Sequence, residues 1–190
     1  VELSGALKSI AVSMSKIAND IRLMGTGPRC GIGELLIPPV QPGSSIMPGK
    51  VNPVICESIL QVCVQVIAND LSITLGAQGG NFELNVMLPL IGNNLIESIN
   101  ILSNSIVMFN NKLLKDLEAD VEKCKDYIEK SLSMCTSLVP EIGYDKTAEI
   151  AYEAYNSGKT IRELLLEKNI LSHDKVEDLL NPIKMTEPLK

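Results

Sequence analysis

Apolar residues recur at alternating steps of four and three along the first part of the chain. The first such run consists of Leu3, Leu7, Ile10, Met14, Ile17 and Ile21. Similar runs extend from Ile55 to Val66 and from Leu95 to Leu113. This repeat places the side chains on one face of a helix in a bundle of nearly parallel helices. The pattern therefore predicts three long helices whose apolar stripes form a core.

Two breaks rich in glycine and proline separate these helices. Residues 27–52 show no helical period and make an unusually long loop for a compact chain. The second break is the sequence GAQGGN at 76–81. Asn52 suits a helix N-cap and Pro53 a first helical position, so the second helix should begin there. Because long loops inside compact domains are often functional, 27–52 is the first segment to search for chemistry.

After Lys115 the helical segments become shorter and more highly charged. A helix over 145–156 should end at Gly158, which can adopt the left-handed conformation of a C-cap residue. Thr160 and Glu163 have the spacing of a capping box for the next helix. The predicted fold class is therefore all-α. It consists of a long-helix bundle segment over 1–115 and a small all-helical C-terminal domain over 116–190.

Composition narrows the possible partners. Of the 190 residues, 45% are hydrophobic and 3% are aromatic, which predicts an aliphatic core. The net charge is −6 and lysine and arginine do not cluster, which argues against nucleic acid or an anionic membrane. We expect no signal peptide, and no apolar run approaches the ~18 residues of a membrane span. A small anionic substrate stays possible, because one local cation can bind it.

Cysteine and histidine give no pattern typical of a metal site. The five cysteines form no CxxC pair, and His173, the single histidine, has no cysteine at ligand-like spacing. We therefore predict no metal site and reduced, buried thiols in a reducing compartment. These thiols are Cys30, Cys56, Cys63, Cys124 and Cys135.

The long loop contains the sequence GSSIMPGKVNP at 43–53. Its glycines allow close backbone approach and its prolines stiffen the segment. Hydroxyls, one cation and an amide follow within nine positions, from Ser44, Ser45, Lys50 and Asn52. Such a set suits a carboxylate-bearing ligand. By composition alone, however, the segment is more typical of an ordinary exposed turn.

The order of these residues resembles GSSxMPxKxNP, the motif of the fumarase/aspartase superfamily. Members of this family eliminate a group across the Cα–Cβ bond of a carboxylic acid. Three further segments are similar to class II fumarases: GPRCGIGE at 27–34, GNFELNV at 80–86 and IGYDK at 142–146. The resemblance covers in effect the whole chain. It implies that 1–115 is the C-terminal part of a central helical bundle domain, with the substrate loop at 27–52.

The resemblance also implies site residues. Ser44 would be the base that removes a proton from the carbon next to a carboxylate. Lys50 and Asn52 would bind that carboxylate as it becomes the aci-form, whose growing charge they stabilise. Glu57 would pair with a catalytic histidine and raise its basicity.

For several residues a structural role competes with the catalytic one. Ser45 is expected to be structural, and His173 to lie on the surface. Glu57 could instead be a favourable charge in the first turn of a helix. Arg29 could either reach substrate or form a structural ion pair.

The implied activity is the reversible hydration of fumarate to L-malate without a cofactor. It would take place in a homotetramer assembled through the helical bundle, in the cytoplasm or, in a eukaryote, in the mitochondrial matrix. The family carries its histidine in upstream segments, so the 190-residue chain alone is expected to be inactive. Two alternatives are an aspartase-type ammonia lyase and a non-catalytic helical scaffold. The joint presence of Ser44, Lys50, Asn52 and Glu57 argues against the scaffold.

Overall fold

The computed structural model describes residues 1–41, Met47 and 49–186. The chain divides into two compact units, Val1–Asp120 and Val121–Lys190. Within the described residues the regular structure is helical, apart from two strands of two residues each and one isolated bridge. The predicted all-α fold is thus confirmed. The assignment of 1–115 and 116–190 to two domains of a larger protein stays a prediction.

The first unit is built on three long helices. Helix α2 packs along both α1 and α3, and strand β1 pairs antiparallel with β2, with Leu35 opposite Ala119. A 3-10 turn at Leu114–Asp116 follows α3. The bounds are α1 Glu2–Met24, β1 Leu35–Leu36, α2 Val54–Gln78, α3 Leu88–Lys112 and β2 Glu118–Ala119.

The core face of α1 differs from the predicted one. Leu3, Ile10 and Ile17, which belong to the predicted stripe, are 55%, 45% and 44% exposed. The buried positions of α1 also follow a repeat of four and three, but smaller side chains occupy most of them: Ser4, Ala11, Ala18 and Ile21. The prediction followed the largest apolar residues and was wrong for these three. Interhelical distance depends on the side chains at the contact, so alanine and serine suit close packing there.

The stripes of α2 and α3 agree better with the prediction. Ile59 and Val66 of α2 are 0% and 1% exposed. In α3, Leu102 is buried, but the prediction was wrong for Ile99 and Ile106, which are 41% and 36% exposed. Helix α2 begins one residue later than predicted, because its N-cap is Pro53, whose ψ of 50° lies outside the helical range.

A buried polar layer joins the three helices. The Asp70 carboxylate of α2 accepts hydrogen bonds from Ser4 Oγ at 2.5 Å and Lys8 Nζ at 2.6 Å, both on α1. The neighbouring Asn69 donates through Nδ2 to Ser98 Oγ of α3 at 3.1 Å. No buried side-chain nitrogen or oxygen in the described part of the chain lacks a hydrogen-bond partner. The helices are therefore held by matched polar pairs as well as by apolar contact.

Helix α2 is the one described helix that could cross a membrane by length and composition alone, with a mean hydropathy of 1.5 over an 18-residue window. The sequence pattern, in contrast, predicts no apolar run long enough to span a membrane. This criterion is weak, because core helices satisfy it too. The contacts of α2 with two neighbouring helices, and the buried Asp70 carboxylate at its centre, are those of a core helix.

The second unit is an assembly of short helices. They are α4 Val121–Lys130, a 3-10 segment Leu132–Leu138, α5 Val139–Ile142, α6 Tyr144–Ser157, α7 Ile161–Glu167, α8 His173–Leu179 and α9 Pro182–Met185. The core contains Leu138, Ile150, Leu165 and Val176. Because these short helices would be marginal in isolation, their stability comes from this shared core.

Local stop and start signals in the second unit behave as predicted. Gly158 follows α6 with φ 71°, and Thr160 and Glu163 form a complete capping box for α7. The Arg162 guanidinium then links α7 to two other helices, through Glu129 of α4 and Glu177 of α8. The turn chemistry of this segment therefore determines where α7 begins.

We predict that Asp70→Asn destabilises the first unit by about 1–3 kcal/mol at neutral pH, because a buried charged hydrogen bond is lost. Hydrogen bonds from Lys8 and then Ser4 lower the pKa of Asp70 below its ordinary value. The native pKa thus lies below the unfolded one, so the stabilisation is complete above about pH 4 and disappears as the pH falls through the native pKa. Denaturant unfolding at pH 7 and pH 3, followed by circular dichroism, measures both effects.

The control is Asp20→Asn, which removes an exposed partner of Lys16 on α1. It should change the free energy of unfolding by about 0.5 kcal/mol or less. Equal effects of the two substitutions at pH 7 would contradict the role given to the polar layer.

Candidate functional site

The first part of the long loop is anchored within the first unit, where the loop contains strand β1. The Glu34 backbone N–H donates to the Met24 carbonyl oxygen at the end of α1, at 2.9 Å. Its own carbonyl oxygen accepts from the Asp120 N–H, also at 2.9 Å. Leu35 and Leu36 then pair with β2. The start of the loop is thereby attached both to the end of α1 and to the segment that follows α3.

Lys50 and Asn52 lie where the loop returns to α2. The Lys50 backbone N–H donates to the Met47 carbonyl oxygen at 3.2 Å, across Gly49 with φ 81°. The Lys50 side chain is exposed and forms no ion pair with a described carboxylate, whereas Asn52 is half-buried. Their α-carbons can be at most about 7 Å apart, because the two residues are only two positions apart in the chain. A cation and an amide are thus available side by side for a carboxylate.

The two predicted serines, Ser44 and Ser45, lie outside the described residues. Glu57 lies in the first turn of α2, is exposed, and its N–H donates to the Pro53 carbonyl oxygen at 3.1 Å. That position is compatible with both roles predicted for Glu57, the catalytic one and the structural one, since a carboxylate in the first turn also interacts favourably with the helix dipole. Its catalytic role stays a prediction.

Arg29 and His173 are both exposed. Within the ranges that the structure describes, Arg29 forms no ion pair, so the structural ion pair weighed for it finds no partner there. His173 is the first residue of α8, in the second unit, and the prediction of a surface residue is confirmed.

The thiols next to this segment are unsuited to nucleophilic chemistry. Cys56 and Cys63 are both 0% exposed, and burial raises the pKa of each thiol. Both therefore stay protonated at neutral pH. Cys30, in contrast, is exposed, so the prediction of buried thiols was wrong at this position. The loop around it carries cis Gly27–Pro28 and Gly31 at φ 123°, and this irregular backbone lies on the surface.

Two residues that the sequence does not single out, Ile37 and Gly25, pack at the base of the loop. Ile37 from the beginning of the loop and Asn52 from its end line one narrow cleft together with Leu113. Gly25 makes room for Ile37, because a Cβ at position 25 would lie 2.3 Å from Ile37 Cδ1. The φ of Gly25 is −84°, which is ordinary, so the structure requires a small residue there and not a special backbone conformation.

No group of three or more His, Cys, Asp or Glu side chains among the described residues could hold a metal ion. The arrangement that the structure does show is a cation and an amide on a loop whose base is packed against a helical bundle. A cation and an amide together suit a small anionic ligand.

Comparison with known proteins gives two matching family models. Residues 1–68 match the family described as "Lyase", and residues 134–187 match "Fumarase C C-terminus". The curated relatives include an aspartate ammonia-lyase of Bacillus sp, 49% identical over 98% of this chain. They also include a class II fumarate hydratase of Wigglesworthia glossinidia brevipalpis, 47% identical over 97% of this chain. The chain spans 40% of the length of each of these two relatives.

Solved structures give the same picture. A fumarate lyase:delta crystallin from Brucella melitensis bound to cobalt matches with a TM-score of 0.92 and 48% identity, over 97% of this chain and 40% of that one. A recombinant class II fumarase from Schistosoma mansoni matches with a TM-score of 0.90 and 39% identity, over 98% of this chain and 39% of that one. Relatives with two different activities are therefore similar to this chain to nearly the same degree.

We predict that a thiol reagent such as DTNB modifies Cys30 rapidly in the native protein, because it is the exposed cysteine among those beside the loop and core. Cys56 and Cys63 should react only after unfolding. Mass spectrometry of peptides after timed labelling identifies the modified positions. Cys30→Ser is the control, and fast labelling that persists at Cys56 in this variant would contradict the burial described above.

Proposed function

Because this chain belongs to the fumarase/aspartase superfamily of lyases, we propose that it is part of a class II fumarase. The proposed reaction is the reversible hydration of fumarate to L-malate by anti addition and elimination of water. The observation that carries the proposal is the ordered string at 43–53, in which Lys50 and Asn52 lie next to each other at the foot of α2. No cofactor is required by this chemistry.

In the malate-to-fumarate direction, Ser44 takes the proton from the carbon next to a carboxylate. The electron pair left behind moves into that carboxylate and produces the aci-form, which carries two negative charges. The Lys50 ammonium and the Asn52 amide stabilise this charge, and their interaction strengthens as the charge grows. Such differential binding accelerates proton removal. A neutral serine hydroxyl is a poor base, so Ser44 acts as the alkoxide. The positive charge of Lys50 stabilises this alkoxide, which becomes the hydroxyl when it takes the proton.

The second half of the reaction expels hydroxide, which leaves as water after protonation by an acid. Glu57 pairs with a histidine and raises its basicity, and that histidine is supplied by the upstream segments of the full-length protein. The 190-residue chain holds one histidine, His173, which lies on the surface of the second unit. For this reason the proposed activity belongs to the full-length protein and not to this chain alone.

The second candidate is an aspartase-type reaction that releases ammonia from aspartate. It is favoured by the Bacillus sp relative named above, which is 49% identical. The loop chemistry is common to both reactions, because each removes a proton next to a carboxylate. The segments GPRCGIGE at 27–34 and GNFE at 80–83 support the fumarase instead. A non-catalytic scaffold is less favourable, since such a role gives no reason to keep Ser44, Lys50, Asn52 and Glu57 together.

We further propose that the protein is a cytoplasmic homotetramer, or a mitochondrial one in a eukaryote, that assembles through the long helices. The support is the exposed apolar surface that remains on those helices. Val64 and Leu71 of α2 are 66% and 59% exposed, and Ile96 and Val107 of α3 are 62% and 59% exposed. Apolar surface of this extent on several helices is typical of an interface between proteins.

The substrate is tested with full-length protein assayed on malate, fumarate and aspartate by absorbance at 240 nm, where the double bond of fumarate absorbs. We expect conversion of malate and fumarate and none of aspartate. Ammonia release from aspartate without malate conversion would replace the fumarase by the aspartase. The purified 190-residue chain is the matched control and should show no hydration, because its single histidine is His173 and not the upstream histidine that the proposed mechanism requires.

The base is tested by Ser44→Ala in the full-length protein. We expect kcat to fall by about 10²–10⁴ with substrate binding retained, since general-base catalysis typically contributes that much. The control is Ser72→Ala, which removes an exposed hydroxyl that bonds only its own helix, at the Ala68 carbonyl oxygen. Steady-state kinetics and calorimetric titration separate turnover from binding. Unchanged kcat in Ser44→Ala would overturn the assignment.

A further inference from the structure

We infer that Ile37 is a positioning residue for the site, which fixes Lys50 and Asn52 by joining the two ends of their loop. It acts within a loop clamp formed by Gly25, Ile37, Ile55 and Leu113. The effect on catalysis rests on the proposed function. The effect on the position of the loop can be measured without it. None of the four residues is expected to touch substrate.

The first step is that both ends of the loop pack on the same core. Ile37 follows β1 and Ile55 lies in the first turn of α2, and both contact the buried cluster of the first unit. Leu113, 1% exposed, belongs to that cluster. The loop therefore starts and finishes on one apolar surface, as in a compact loop whose ends are close together.

The second step is that the two ends also meet each other. Ile37, Pro38 and Val40 on one side and residues 52–55 on the other line a single cleft with Leu113. The cleft leaves no space large enough for a water molecule. Because Asn52 forms part of its wall, the position of Asn52 depends on how the Ile37 side chain fills the other side. Close-packed interiors transmit such changes, since few voids can absorb them.

The third step concerns the fit around Ile37. A methyl group on residue 25 would lie 2.3 Å from Ile37 Cδ1 and 2.7 Å from Cγ1, far inside contact distance. Gly25, at the end of α1, thus leaves the space that this isoleucine occupies. The backbone just before Ile37 is fixed as well, through the hydrogen bonds of Glu34 and the β1–β2 pair. Ile37 is therefore held from the backbone side and from the side-chain side.

A loop fixed in this way has a kinetic consequence. Lys50 and Asn52 lie outside any helix or strand, so their own hydrogen bonds restrain them little. A displacement of about 1 Å in a group that stabilises the transition state can lower the rate by about 10². Binding of the ground state is less sensitive, because a displaced lysine still attracts a carboxylate. Loss of the clamp should consequently lower kcat more than it raises KM.

The test compares Ile37→Ala, Ile37→Val and Leu36→Ala in the full-length protein. Leu36 is the adjacent residue of β1 and is 50% exposed, which makes it a matched loss of an apolar side chain outside the clamp. We expect kcat to fall about tenfold or more in Ile37→Ala with a KM change of less than about threefold. Ile37→Val, which keeps the branched side chain, should restore most of the rate, and Leu36→Ala should resemble the unaltered protein.

A second readout does not depend on activity. Hydrogen exchange measured by mass spectrometry should become about tenfold faster at the amides of 49–52 in Ile37→Ala, because local opening is easier. Peptides from the middle of α2, around Ile59 and Val66, should keep their protection. Faster exchange in both regions would indicate global destabilisation and would overturn a positioning role.

The contact with Gly25 is tested by a double-mutant cycle. Gly25→Ala alone should lower kcat, because its methyl group displaces Ile37. In the Ile37→Ala background the same change should have little further effect. Fully additive losses would show that the two residues act independently and would overturn the clamp.

The outcomes separate the two proposals. If the unaltered full-length protein converts neither malate nor aspartate, the proposed function fails, and hydrogen exchange alone decides whether the clamp exists. If the unaltered protein is active and Ile37→Ala matches Leu36→Ala in kcat and in exchange, the clamp is overturned and the function stands. Faster exchange at 49–52 with an unchanged kcat also overturns the positioning role.

Discussion

Two adjacent polar residues at the centre of α2 set the arrangement on which the rest of the first unit depends. Neighbouring positions on a helix point about 100° apart, so Asp70 reaches α1 while Asn69 reaches α3. An apolar stripe tolerates sliding by one turn, whereas a buried carboxylate and amide lose their partners if it happens. The hydrogen bonds to Ser4 and Ser98 therefore select one register of the three helices. These hydrogen bonds thus fix the position of the helices along one another more than they add to the free energy of folding.

That register extends to the functional segment. With α1 and α3 fixed against α2, the end of α1 at Gly25 lies against Ile37, and Ile37 and Leu113 line one cleft with the beginning of α2. The loop that contains Lys50 and Asn52 is attached at that junction. The residues that would contact substrate thus lie outside helices and strands, but the elements that hold them are long helices. Catalytic loops carried by a rigid scaffold commonly show this division of roles.

Much of the fold could be predicted from the sequence, because three long helices and their stops follow from periodicity and from glycine and proline. The core face of α1 could not, since burial of Ala11 and Ala18 in place of Ile10 and Ile17 depends on how closely a partner approaches. Nor could the contact between Gly25 and Ile37, which no periodic pattern connects. The site residues were recognised by an ordered motif, and physics supplied only reasons why such residues suit a carboxylate. The same motif serves hydration and deamination, so it does not determine whether water or ammonia is eliminated.

The pairing of β1 with β2 has a consequence for biosynthesis. Leu35 is translated before α2 and α3, but its partner Ala119 only after them. During synthesis the loop therefore emerges from the ribosome long before its anchoring strand exists, and it must stay unattached while both long helices are made. Contacts between distant parts of a sequence form late because their ends must first be brought together. A pause in translation within α3 would thus leave the nascent chain with helices already able to form, while the segment that contains Lys50 and Asn52 is still accessible to chaperones and proteases.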